Sequence, residues 1–369
     1  MGAEERVQMA IDNWAPRFLA NGIDPNDLQR VTRRVTHWDD WSREWSACGA
    51  MHEQMGAEAE AQRYYQSAGY HYLHAAMAYH FGKFLFVHKP DELRVAHEHV
   101  ARTYQKALLY GDFPGERVAI PYEAGKSMYG ILRKPWHTSK PPVVILSPGL
   151  DSVKEELHYY GDNFLRRGLA VLAIDGPGQG EMEFEYPLRH DFEVPVRHAI
   201  DYLEGRPDVD ASRVGLMGVS LGGHYAPRAA AFEPRIKATI SIAGAYNLAR
   251  NFDRYPLLTQ EAFTYRLKAP NQATARSLLQ QFTLQGVMGQ VRCPLLVIMG
   301  RLDRLFPPEE AEQMAAEAGG PADLWMFEDG NHVCNNIPYK YRPQQADWMR
   351  SKLGSLSSFK LASQRSKPG

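Results

Sequence analysis

RVGLMGVSLGGHYAPR, Arg213 to Arg228, has Gly218-Val219-Ser220-Leu221-Gly222 at its centre. An apolar β-type run precedes the serine and an Ala-rich helical run follows it. In that setting Gly-x-Ser-x-Gly predicts a nucleophile elbow, a turn so tight that side chains beside the serine would clash with backbone. Such a turn pushes the Ser220 hydroxyl into the open. The helix that follows presents unpaired N–H groups and a positive dipole end to a developing negative charge.

On both sides of the elbow, apolar strands alternate with helical patterns. VVILS, LAVLAID, RVGLMGV, KATISIAG, PLLVIMG and ADLWMFE follow one another from Pro142 onward. This alternation predicts a largely parallel sheet with helices on both faces. Shorter β-rich runs, Arg117 to Pro121 and Met128 to Leu132, come just before it.

A serine hydroxyl needs a base that is itself oriented by a carboxylate, and the chain order expected here is serine, acid, histidine. Asp303 lies in GRLDRLFP just after PLLVIMG, and His332 lies in EDGNHVCNN just after ADLWMFE. Both positions are strand carboxyl ends, where an open α/β sheet places its site. The reading is therefore an α/β-hydrolase fold with Ser220, Asp303 and His332 as the catalytic set. The weighed alternatives are Asp303 as a turn or cap residue, and Asp329 as a rival acid that sits too near His332 in sequence.

Leu221 N–H and a second amide, from Gly149 or Leu150 in SPGLD, are expected to form the oxyanion hole; a plain strand-end turn is the alternative for SPGLD. His224 is expected to support the elbow or line the pocket. DGPGQG, Asp175 to Gly180, is read as a structural loop beside the site. It is not a dinucleotide fingerprint, because Pro177 and the Glu-rich segment after it do not open a helix.

Residues 1 to about 110 read as an all-helical block. Val7, Ile11, Trp14 and Phe18 recur at helical spacing, Asp24-Pro25 supplies a cap and a first-turn proline, and Trp38, Trp41 and Trp45 mark a face of the next helix. Pro90 opens another helix to about Tyr110. Residues 111–355 form the catalytic domain, with a helical lid at about 245–290 and a last helix at about Pro343 to Leu353. Residues 356–369 read as a flexible tail.

The helical block is dense in aromatic and histidine residues, among them Tyr70, His71, His74 and Tyr79. Ordinary packing is expected there, with a substrate-contacting wall at Tyr70 and His74 as the alternative. No metal site is expected, since no carboxylate or cysteine completes a ligand pattern around His71 and His74.

Composition removes other classes. Hydrophobic residues are 44% and charged residues 23%, with a formal net charge of -1, so a phosphate-tracking nucleic-acid surface is not expected. Cys48, Cys293 and Cys334 are an odd, scattered set that suits a reducing compartment. No apolar run is long enough to span a bilayer and the amino-terminal stretch lacks a signal core, so a cytoplasmic protein is expected.

GLDSVKEE (149–156), DGPGQGE (175–181), GVSLGGHYAPR (218–228), CPLLVIMGRLDRLFP (293–307) and NHVCNNIPYKYRPQQADWM (331–349) resemble one branch of these hydrolases. It is the branch of the 2,6-dihydroxypseudooxynicotine hydrolases of bacterial nicotine breakdown and the fungal hydrolases that shorten polyketide pigment precursors. The resemblance covers most of the chain. It implies a helical cap, a homodimer, no cofactor, a small-molecule substrate and cleavage of a carbon–carbon bond beside a ketone. One departure stands out: where the nicotine-pathway members of the branch carry an acidic side chain after the strand following the elbow, this chain reads Tyr246 to Asp253, with Asn251 or Asp253 as the replacement and Tyr246, Asn251 and Asp253 as candidate substrate contacts. A carboxylesterase with the same three residues and a catalytically silent binding protein are the competing functions.

Overall fold

The computed structural model describes residues 3–354. The tail expected at 356–369 therefore lies outside the described residues. Five helices come first: α1 (Ala3–Ala20), α2 (Pro25–Thr32), α3 (Trp41–Ala61), α4 (Tyr65–Lys83) and α5 (Pro90–Tyr110). Asp24 caps α2 through the Asn26 N–H, and Pro25 occupies the first turn, as its fixed φ favours. Trp38 sits in a short 3-10 turn just ahead of α3. It is buried together with Trp41 and Trp45, and Phe18 of α1 packs on the latter two.

The sheet contains β1 (Gly115–Pro121), β2 (Ser127–Arg133), β3 (Pro142–Ser147), β4 (Ala170–Ile174), β5 (Asp210–Val219), β6 (Ile236–Ile242), β7 (Leu295–Gly300) and β8 (Ala322–Phe327). Its order is β1-β2-β4-β3-β5-β6-β7-β8. β1 and β2 run antiparallel at one edge, and β3 to β8 are parallel. β3, β4 and β7 are buried throughout, which explains why they read as continuous apolar runs and not as alternating ones.

The helices between strands are α6 (His158–Leu165), α7 (Glu193–Glu204), α8 (Leu221–Phe232), α9 (Leu257–Arg266), α10 (Gln272–Leu278), α11 (Pro308–Glu317) and α12 (Pro338–Leu353). The register separates them into two layers. Ser241 of β6 faces Gly223 of α8 and Met314 of α11. Gly215 of β5, on the other face, leaves no room for a Cβ against Met349 of α12. α6 packs on α12 and α7 on α8, so the sheet is covered on both sides.

α12 starts at Pro338, earlier than the expected Pro343. Pro338 takes the first turn, and Pro343 is tolerated inside because the carbonyl it cannot serve belongs to Tyr339, a residue on the exposed side. Among the described residues no helix is long and apolar enough to cross a membrane.

Candidate active site

Ser220 lies between β5 and α8 with φ +57 and ψ −113, outside the regions an ordinary side chain prefers. Neighbouring glycines make that turn possible. A Cβ on Gly218 would meet Gly222 O at 1.8 Å, and one on Gly222 would meet Ser147 O at 2.3 Å. The backbone strain is thus held in place by contacts on both sides, as is common where a residue must be aimed.

Asp303 and His332 arrive from the loops after β7 and β8. Those loops are drawn together at Gly300 and Gly330, where a Cβ on Gly300 would lie 2.2 Å from Gly330 O. His332 Nε2 is 2.9 Å from Ser220 Oγ, and His332 Nδ1 is 2.7 Å from Asp303 Oδ2. With Asp303 ionised, Nδ1–H donates to it and Nε2 is left to accept the serine proton. Asp303 Oδ1 meanwhile accepts the Leu305 and Phe306 N–H groups at 2.8 and 3.1 Å. The turn-residue reading and the acid reading of Asp303 therefore describe two oxygens of one carboxylate. Val333 and Cys334, immediately after His332, have φ +62 and +51, so this loop is also strained.

Ser220, Leu221, Gly149, Leu150 and His332 line one cavity. Gly149 sits against the elbow, its Cβ direction 3.4 Å from Ser220 Cβ. Gln179, from DGPGQG, is fully buried and donates to Pro148 O at 3.0 Å and Gly149 O at 2.6 Å. Because a trans peptide points its C=O and N–H in opposite directions, this bond fixes the plane that carries the Leu150 N–H. No hydrogen bond among the described residues uses the Leu150 or Leu221 N–H.

The rest of the cavity wall was not foreseen. α1 contributes Trp14, Arg17 and Asn21; the segment after β3 contributes Asp151, Ser152 and Glu156; the stretch between β6 and β7 contributes Tyr255, Thr259 and Phe263. Arg17 donates to Glu156 through Nε and one terminal nitrogen, each at 2.6 Å, and to Asp151 at 2.7 Å. Glu156 also receives Asn21 at 2.7 Å, His80 at 2.8 Å and the Ser152 hydroxyl. Burial alone would raise the Glu156 pKa, yet Arg17 and His80 outweigh it and hold the carboxyl well below its ordinary range. Burial would lower Arg17, and Asp151 with Glu156 reverse that. Arg17 adjoins the apolar stripe of α1, three residues after Trp14, which is the only signal the sequence carries for it.

The six candidate substrate contacts lie off this cavity. His224 is fully buried in α8 and its Nδ1 meets Ala245 O at 2.9 Å, which ties the elbow helix to the end of β6. Burial lowers its pKa to about 4. Tyr246 and Asn251 are drawn to α11: Glu310 accepts Tyr246 N–H at 2.6 Å and Asn251 Nδ2 at 2.9 Å. Asp253 pairs with Arg276 at the surface. Tyr70 is 54% exposed, and His74 packs under it beside His52. The acidic groups of the cavity come from the segment after β3, where Asp151 and Glu156 stand, and not from the segment after β6. A carboxylate and a cysteine do approach the histidines of the helical block, since Asp27, Cys48 and His52 converge there.

The model of the FrsA-like esterases matches residues 22–353. The chain belongs to that family. It is 30% identical to the 2,6-dihydropseudooxynicotine hydrolase of Paenarthrobacter nicotinovorans over 348 residues, 92% of either chain. It is 33% identical over 242 residues to the 20-hydroxy-prefusarin hydrolase of Gibberella moniliformis, covering 62% of this chain and 58% of that one. The crystal structure of the 2,6-dihydroxy-pseudo-oxynicotine hydrolase superposes with a TM-score of 0.85 at 28% identity, over 92% of this chain and 96% of its own. This FrsA-like chain is accordingly a hydrolase of the α/β type.

Proposed function

We propose that Ser220, His332 and Asp303 hydrolyse a carbon–carbon bond beside a ketone in an aryl ketone, β-diketone or polyketide-like substrate. The observation that carries this is the continuous bond path from Ser220 Oγ through His332 to Asp303 at 2.9 and 2.7 Å, opening on a cavity partly walled by α1. Ser220 Oγ attacks the ketone carbon and its proton passes to His332 Nε2. The resulting oxyanion faces the Leu150 and Leu221 N–H groups. The carbon–carbon bond then breaks, its electron pair is held as an enolate, and His332 returns the proton to carbon. Water releases the acid from Ser220 by the same base.

The demanding step is departure of carbon, which needs an electron sink. Arg17 spends three of its five N–H donors on Asp151 and Glu156, so it keeps donors for an enolate or phenolate oxygen in the same cavity. Phe263, Tyr255, Leu305 and Phe306 give the apolar surface a ring would need. The resemblance of this chain to a carbon–carbon hydrolase over nearly its full length supports the same reading. The pairing into a homodimer that the resemblance implies belongs to it too, and light scattering would check that.

Incubation with aryl 1,3-diketones, with acid release followed over time, is expected to show turnover that Ser220→Ala abolishes. Brisk turnover of simple esters without any turnover of diketones would replace the proposal by its second reading, a carboxylesterase, which the description of the matching family favours.

A further inference from the structure

α2, α3 and α4 bring together a set of side chains that the hydrolytic reaction does not use. Asp27 comes from α2, Cys48 and His52 lie one turn apart on α3, and His71 and His74 lie three apart on α4. One ligand atom each of Asp27, Cys48 and His52 lies within 4.8 Å of the other two, and all three residues are buried. The geometry points to a binding site for a zinc-class divalent cation at Asp27, Cys48 and His52, with His74 or solvent in the fourth position.

Four observations carry it. Carboxylate, thiolate and imidazole form a donor set suited to zinc, and two helices supply the three ligands. His52 turns Nε2 to Asp27 at 2.7 Å and Nδ1 to His71 Nδ1 at 3.3 Å. A metal-ligating histidine commonly uses its second nitrogen in this way: with a metal at Nε2, the His52 ring proton would sit on Nδ1 and be donated to His71 Nδ1. The locus already attracts a cation: a terminal nitrogen of Arg30 bonds Asp27 Oδ1 and lies 4.0 Å from Cys48 Sγ. The Arg30 side chain is 40% exposed and can swing out to solvent. Neither nitrogen of His74 has a hydrogen-bond partner among the described residues, and its ring centroid is 5.3 Å from that of His52.

Binding would remove one proton from Cys48, whose thiol burial pushes up to about 11, and leave the metal–thiolate bond in its place. The bound ion would staple α2 to α3, and α4 to both where His74 is the fourth ligand.

The full chain, stripped with EDTA and dialysed, is titrated with cobalt(II) and then with zinc. One cobalt per chain is expected, with a thiolate charge-transfer band that zinc abolishes. Asp27→Asn and Cys48→Ser each lose the band, whereas the Cys293→Ser/Cys334→Ser pair keeps it. His71→Ala retains the band but binds about 10- to 100-fold more weakly. Arg30→Met removes the competing cation and no ligand, so it binds more tightly. Fluorophosphonate labelling of Ser220 in each variant reports that the chain is folded. No stoichiometric cobalt uptake by folded protein, a band that survives Cys48→Ser, or weaker binding by Arg30→Met would overturn the assignment.

Discussion

Two walls of the cavity are made on different principles. The wall of Ser220, Asp303 and His332 hangs from the ends of β5, β7 and β8, and glycine contacts within a few residues of each group set its geometry. The wall of Arg17 and Asn21 hangs from α1 and is completed by Asp151 and Glu156, with Arg17 and Glu156 139 positions apart in the sequence. In the first, a rigid sheet aims the side chains at charge that develops during reaction. In the second, buried charges hold each other and the amino-terminal helices α1 and α4 at the same time. Loss of a residue should therefore cost mainly rate in the first wall and mainly stability in the second.

The largest expected effect lies in the first wall. Ser220→Ala and His332→Ala should each lower kcat by about 10⁶-fold, and the double variant should lose no more, because the residues act as one unit. Asp303→Asn should cost about 10⁴-fold by leaving the wrong tautomer at His332. Thermal unfolding should hardly move in the serine variant. A fall in Tm matching the fall in rate would erase the proposed difference between the walls.

A smaller free-energy change is expected in the second. Arg17→Met leaves Asp151 and Glu156 buried without their cation, a loss of about 3–5 kcal/mol. Urea denaturation should show it, with the cap unfolding ahead of the sheet. Arg17→Met at full stability would mean that Asn21, His80 and Ser152 suffice to hold Glu156.

The pH dependence separates the walls further. Glu156 has a folded pKa depressed below its unfolded value, so its stabilisation is complete above about pH 4.3 and is lost as pH falls through the folded value. His224, next to the elbow, is buried in the neutral form with a pKa lowered to about 4 from 6.5. The unfolded chain takes up that proton first, so stability should fall as pH drops from 6.5 towards 4, by up to about 1.4 kcal/mol per unit. His224→Asn should flatten that part of a Tm-against-pH curve. An unchanged slope would assign the loss to other histidines, His74 with its pKa of about 4 among them.

The same difference explains what could be read beforehand. Gly218, Ser220 and Gly222 are consecutive enough for a local pattern to specify them, and Asp303 and His332 follow apolar strands that can be counted. Arg17, Asn21 and Glu156 are specified by packing between α1 and the segment after β3, which has no local signature. Asn251 and Asp253 sat at a plausible strand end, but Glu310 of α11 captures Asn251 and Arg276 takes Asp253. Tertiary partners thus hold a segment whose position in sequence was suggestive away from the cavity.

The central claim is that Ser220 is a nucleophile deprotonated by His332. Intact mass and peptide mapping after reaction with a fluorophosphonate test it most directly. One phosphonyl group per chain on Ser220, formed far more slowly in His332→Ala, is the predicted result. A chain that stays unlabelled, or that is labelled at another residue, would contradict the account and favour a silent binding protein on the same fold.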